Sequence, residues 1–85
     1  MTDAEANLNL ARTTVLVARA RTEAALYDRD RAVQTLKGYD IASGLDWYDA
    51  ARERFRRLRT AYSVAKRALE VAERALMLKA KEAAK

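Results

Sequence analysis

Along two long stretches of the chain, apolar residues recur at spacings of three and four, and the only two glycines, Gly38 and Gly44, lie between them. The first series is Leu8, Ala11, Val15, Ala18, Thr22, Ala25, Arg29, Ala32, Leu36. The second is Trp47, Ala51, Phe55, Leu58, Tyr62, Ala65, Leu69, Ala72, Leu76. Such spacing keeps the residues on one side of an α-helix. The intervening positions are rich in Ala, Leu, Arg, Glu and Lys, the best helix formers, and the chain has no Pro. The pattern predicts an all-α chain: a helix over about 3–37, a turn over about 38–46 and a helix over about 45–83. Thr2-Asp3-Ala4-Glu5 reads as a capping box at the first N-terminus. Gly38 reads as a left-handed residue ending the first helix, and Ser43 or Asp46 as the N-cap of the second.

So short a turn makes the two helices, each about 50 Å long at 1.5 Å per residue, antiparallel neighbours. Facing residues in an antiparallel pair have numbers of constant sum. Leu8–Leu76, Ala11–Ala72, Val15–Leu69, Ala18–Ala65, Thr22–Tyr62, Ala25–Leu58 and Arg29–Phe55 all add to 83 or 84, and Val33–Ala51 and Leu36–Trp47 continue the series. Layers of Ala against Ala alternate with larger pairs, as in a coiled-coil seam. The whole chain, 1–85, is therefore expected to be a single coiled-coil-like hairpin.

A hairpin needs one apolar stripe per helix, and this chain has more. Ala61, Val64, Ala68, Val71, Ala75 and Leu78 form a second stripe about a third of a turn from the first. Leu10, Thr14, Val17 and Ala24 match it on the first helix, and nearer the turn the stripe gives way to Arg54 and Arg57. Ala alone would be explained by helix propensity on a solvated face. Val and Leu are not. Leu10, Val17, Val64, Ala68, Val71 and Leu78 are therefore the expected self-association surface, assembling hairpins into a four-helix or larger bundle.

At 85 residues, one small core is marginal without disulfides, metal or oligomerisation. The chain has no Cys and no His, which removes disulfides, thiolate chemistry, the commonest general base and the commonest zinc ligand. The Asp residues near the turn (28, 30, 40, 46 and 49) have no deep pocket in a two-helix unit to shift their ionisation. No phosphate-binding loop, calcium loop or nucleophile elbow is present. A non-enzymatic protein without cofactor, metal or small-molecule substrate is expected.

The net charge of +5 is concentrated in Arg52-Glu53-Arg54-Phe55-Arg56-Arg57-Leu58-Arg59, where five Arg meet one Glu. Arg52, Arg56, Arg59, Lys66 and Arg67 form a candidate surface for an anionic partner, nucleic acid included. A solvated face with intrahelical pairs Glu53–Arg57, Lys66–Glu70 and Glu70–Arg74 explains the same residues without a ligand. Four of the six aromatics, Tyr27, Tyr39, Trp47 and Tyr48, gather near the turn. They either plug the open end, with Trp47 on Leu36 and Ile41 or Leu45 over the core, or make Tyr39, Trp47 and Tyr48 a recognition tip.

In topology alone, a hairpin of two long helices resembles the Rop-type plasmid RNA-binding regulators, which implies a dimeric bundle that binds nucleic acid. No residue motif carries that likeness. The secreted Trp-x-Gly hairpins also place a Trp at the turn, but Trp47-Tyr48-Asp49 lacks their Gly. Lys66 through Leu76 reads like an idealised helix, so a designed bundle without a natural partner is a further alternative. The acidic start, Met1-Thr2-Asp3-Ala4-Glu5, lacks the features of a signal peptide, and the longest strictly apolar run, Val15-Leu16-Val17-Ala18, is too short to span a bilayer. A cytoplasmic protein, or part of an intracellular assembly, with no membrane role is expected. Its partner is expected to be itself or another helical protein.

Overall fold

The computed structural model describes residues 2–38 and 45–84, the side chains of residues 45 and 46 excepted. Two helices, α1 (Asp3–Lys37) and α2 (Leu45–Ala84), pack against each other along their length, and there is no strand among the described residues. The pair forms a rod of 64 × 15 × 14 Å with a radius of gyration of 19.0 Å. A compact domain of this length would have about 12 Å.

Thr2 starts α1 as its sequence signature requires. Its backbone is extended (φ −77°, ψ 161°), its Oγ1 accepts from the Glu5 N–H at 3.2 Å and its carbonyl accepts from the Ala6 N–H at 3.0 Å. Asp3 and Glu5 in the first turn and Lys37 in the last complement the helix dipole. Thr13, Thr14, Thr22 and Thr35 each donate to the carbonyl four residues back. This satisfies their hydroxyls within the helix.

Gly38 ends α1, but not in the left-handed conformation expected of it. Its φ is −82° and its ψ 6°, and its N–H donates to the Gln34 carbonyl at 2.9 Å. A Cβ there would meet the Gln34 and Thr35 carbonyl oxygens at 3.5 and 3.7 Å, which is ordinary contact. Glycine is thus not required sterically. Gly38→Ala should raise stability by about 0.4–1 kcal/mol by restricting the unfolded chain, a gain that chemical denaturation would register. Of the two N-caps expected for α2, Ser43 lies outside the described residues, and Asp46 falls inside the first turn.

The seam is where the spacing places it. Val15, Ala32 and Ala72 are buried, and every other residue of the α1 series is half-buried. In α2, Ala51, Phe55, Leu58, Tyr62, Ala65, Leu69 and Leu76 are half-buried. Trp47 is the exception: it is 40% exposed, and Tyr48 is half-buried in its stead. Strict alternation explains this. A step of three back from Ala51 lands on Tyr48, whereas Trp47 lies four back and on the flank of the stripe.

Cross-helix contacts involving long side chains are offset from the constant-sum pairs. Arg29, expected opposite Phe55, lies over the Tyr62 ring instead, 4.6 Å from its centroid, and its Nη2 meets Asp30 at 3.1 Å. Arg19 reaches Glu73 at 3.9 Å. The cause is side-chain direction. Each helical side chain leans toward its own N-terminus, and in an antiparallel pair the two leans converge. Long partners therefore meet from Cα positions about a turn apart on each helix. Thr22 shows a shorter version: its hydroxyl is shared between Ala18 O at 2.7 Å and Ala65 O of α2 at 3.2 Å.

Candidate functional site

The second apolar stripe of each helix flanks the seam, and antiparallel packing brings the two flanks to the same side of the rod. There they form one shallow trough. Val17, Arg21, Ala61, Val64 and Ala68 line its middle, with Ala18, Ala65 and Ala72 among the lining residues of that stretch. Val64, Arg67, Ala68, Val71 and Ala75 line the next stretch. Leu10, Thr14, Ala75 and Lys79 line the end remote from the turn. Of the six residues expected to mediate association, the fold brings together Leu10, Val17, Val64, Ala68 and Val71. Leu78, at the remote end, is exposed but lines none of these stretches.

Exposure along the trough is high for apolar groups: Leu10 is 67% exposed, Val64 64% and Val71 60%. Nearer the turn the same side becomes polar, with Asp28, Arg31, Thr35 and Arg54 around Trp47. The apolar surface is therefore confined to the half away from the turn. Leu16 and Met77 are also exposed. Both directly follow a seam residue (Val15 and Leu76), so they lie on the flank opposite the trough. Met77 was not expected; its only signal in the sequence is a large apolar residue next to the stripe.

The basic candidates Arg52, Arg56, Arg59, Lys66 and Arg67 are all exposed. Arg52 lies over the Tyr48 ring and Arg59 over the Phe55 ring, each at 5.8 Å from the centroid and each four residues on along α2. Among the described residues none of the five enters an ion pair. Of the expected intrahelical pairs, Glu53–Arg57 forms at 3.5 Å. Lys66–Glu70 and Glu70–Arg74 do not close, although all three residues border one depression on α2. The five do not share one stripe. Arg67 borders the apolar trough, whereas Arg52, Arg59 and Lys66 stand at seven-residue spacing on the opposite flank, the side where Arg19 meets Glu73.

This predicts the outcome of changing Arg52, Arg56 and Arg59 together to Gln. The melting temperature should fall by no more than the loss of two exposed guanidinium–ring contacts, Arg52 over Tyr48 and Arg59 over Phe55, because no ion pair among the described residues is lost. If the face binds an anionic partner, retention on immobilised nucleic acid should fall, and its dependence on salt should flatten as fewer counterions are released. A larger fall in melting temperature would instead mark the three Arg as structural.

At the turn end, Trp47 is 40% exposed and Tyr48 half-buried, while Tyr39 and Ile41 lie outside the described residues. Trp47 shares its depression with Thr35 and Ala32. Tyr27, 61% exposed, carries the Arg31 guanidinium 5.8 Å from its centroid. Among the described residues no three His, Cys, Asp or Glu side chains come together in a group able to hold a metal ion, and no helix is long and apolar enough to cross a membrane. Compared with protein-family models, curated proteins and solved structures, the chain finds no match in any of the three.

Proposed function

We propose that this protein is a non-enzymatic assembly or interaction subunit that works by helix–helix association, with the trough beside the seam as its docking face. The observation that carries the reading is the exposure of Leu10, Val17, Val64 and Val71 on one side of a hairpin whose buried core is Val15, Ala32 and Ala72. The surface area supports it. The chain exposes 6788 Å², against about 5,100 Å² for a compact monomer of its mass. It buries only about half of what its unfolded form would expose, below the roughly 60% typical of even a 60-residue domain. A further helix, from a second copy or from another helical protein, would cover the trough and extend the core into a bundle. The setting that fits a Cys-free chain of this kind is the cytoplasm or an intracellular assembly.

Light scattering coupled to size exclusion tests the reading. Association of the wild-type chain with itself or with an added amphipathic helix is expected, and Val64 and Val71 are the residues on which it should depend. A chain that remains a stable monomer at high micromolar concentration and takes up no added amphipathic helix overturns it. The alternative of a nucleic-acid binder rests on the exposed Arg52, Arg56 and Arg59, none of which enters an ion pair among the described residues. Unlike the apolar trough, those guanidiniums are stable in water without a partner, so association is the stronger reading.

A further inference from the structure

Shape and charge at the trough say which kind of helix it takes. Alanines 18, 61, 65, 68, 72 and 75 contribute small side chains along it, and Val17, Val64 and Val71 larger ones. A concave strip of this kind fits the apolar stripe of a single helix. From Ala61 to Lys79 it extends about 27 Å at 1.5 Å per residue, the length of a helix of about 18 residues.

Every charged residue that lines the three apolar stretches is basic: Arg21, Arg67 and Lys79. Lys79 is balanced by Glu82 at 3.6 Å. Arg21 and Arg67 enter no ion pair among the described residues, and they stand on different helices, one on each. A helix laid in the trough therefore meets an uncompensated positive charge from each wall. A second copy docked trough to trough would bring its own Arg21 and Arg67 into the same interface, so like charges would weigh against its docking.

We infer that the preferred occupant is a helix of a different protein: an amphipathic segment of about 18 residues whose apolar stripe is flanked by Glu or Asp. The inference rests on the trough being an association face and adds the chemistry of its partner. Self-association by the same face then persists only as the weaker alternative. It should strengthen with added salt, which screens the basic rims, whereas docking of an acidic-flanked helix should weaken with salt.

The test uses the full chain and two 18-residue helical peptides with the same Leu stripe, one flanked by Glu and one by Lys. Fluorescence anisotropy of the labelled peptides gives affinity, and light scattering gives stoichiometry. The Glu-flanked peptide is expected to bind one to one, at least tenfold tighter than the Lys-flanked peptide, and to dissociate any self-assembled chain. The double reversal Arg21→Glu/Arg67→Glu should invert the preference, and an unchanged circular dichroism spectrum would show that the reversed chain still folds. Equal binding of both peptides overturns the inference, as does a reversal that leaves the preference intact. Binding to phosphatidylglycerol vesicles through Val64 and Val71, with no discrimination between the peptides, also overturns it and assigns the face to a lipid surface. A chain that self-associates but ignores both peptides overturns the inference and leaves the association reading standing. A chain that stays monomeric and binds neither peptide overturns both.

Discussion

Val64→Glu combined with Val71→Glu should abolish association through the trough while leaving the hairpin helical. The two valines are 64% and 60% exposed in the single chain, so the monomer loses little packing when they change. In an occupied trough the same positions are covered by a partner helix, so two carboxylates would lose their water there, with only Arg21 and Arg67 beside them. Taking a charge out of water costs several kcal/mol, which pairing with a neighbouring cation need not repay, and each 1.4 kcal/mol is a factor of ten in affinity. Two such sites should weaken binding at least a hundredfold. Light scattering reads the loss of assembly, and circular dichroism reads the retained helix. The double variant must be compared with Leu16→Glu, which places a carboxylate on the opposite flank at a residue equally exposed, 63%. If Leu16→Glu disrupts assembly and the valine pair does not, the association face has been placed on the wrong side of the rod.

Leu69→Ala should produce a large loss of stability for a single truncation in α2. Leu69 sits on the seam between Ala65 and Ala72, and it is half-buried rather than buried. The expected cost is therefore near the low end of large-to-small core substitutions, about 2 kcal/mol. For a chain of this length, with total stability of roughly 4–13 kcal/mol, that is a substantial share. Val64→Ala, at an exposed position on the same helix, should change stability by no more than about 0.5 kcal/mol. Urea denaturation at low micromolar concentration separates the two. The low concentration matters because association would otherwise add to apparent stability. Equal effects at the two positions would mean that Leu69 is no more part of the core than Val64, and a larger effect at Val64 that the seam and the trough have been interchanged.

The periodicity of apolar residues suffices to locate both helices and the seam. Helix formation depends on propensities and capping groups that are local in sequence, and here no Pro or Gly interrupts either helix. Thr2 at the start of α1, the ends of the helices and the seam residues from Leu8 to Leu36 all follow from that local information. At one small layer, Ala18 and Ala65, the two carbonyls share the Thr22 hydroxyl, as the constant-sum pairing expects; an Ala side chain has no length with which to leave its own position. The pairing fails for Arg29, whose long side chain leans toward its N-terminus and reaches the Tyr62 ring. It also misplaces Trp47, since a helical stripe tolerates a step of four after a step of four on paper. The packed pair keeps the strict alternation that brings Tyr48 to the seam.

The candidate site divides in the same way. That Val17, Val64 and Val71 lie off the seam is a property of each helix alone, and it is legible from their spacing. That α1 and α2 contribute their apolar flanks to one side, making a trough rather than two separate stripes, depends on the antiparallel docking of one helix on the other. The pairing of charges is likewise decided in three dimensions. Lys66–Glu70 has the spacing of an ion pair and does not close, whereas Arg19 and Glu73, far apart in sequence, come within 3.9 Å. Arg21 and Arg67 read as unrelated surface charges until packing sets them beside the same apolar strip. Sequence period determines which residues share a face of one helix, because that depends only on 3.6 residues per turn. Which faces of two helices meet water together depends on their mutual rotation and direction, and only the tertiary structure decides that.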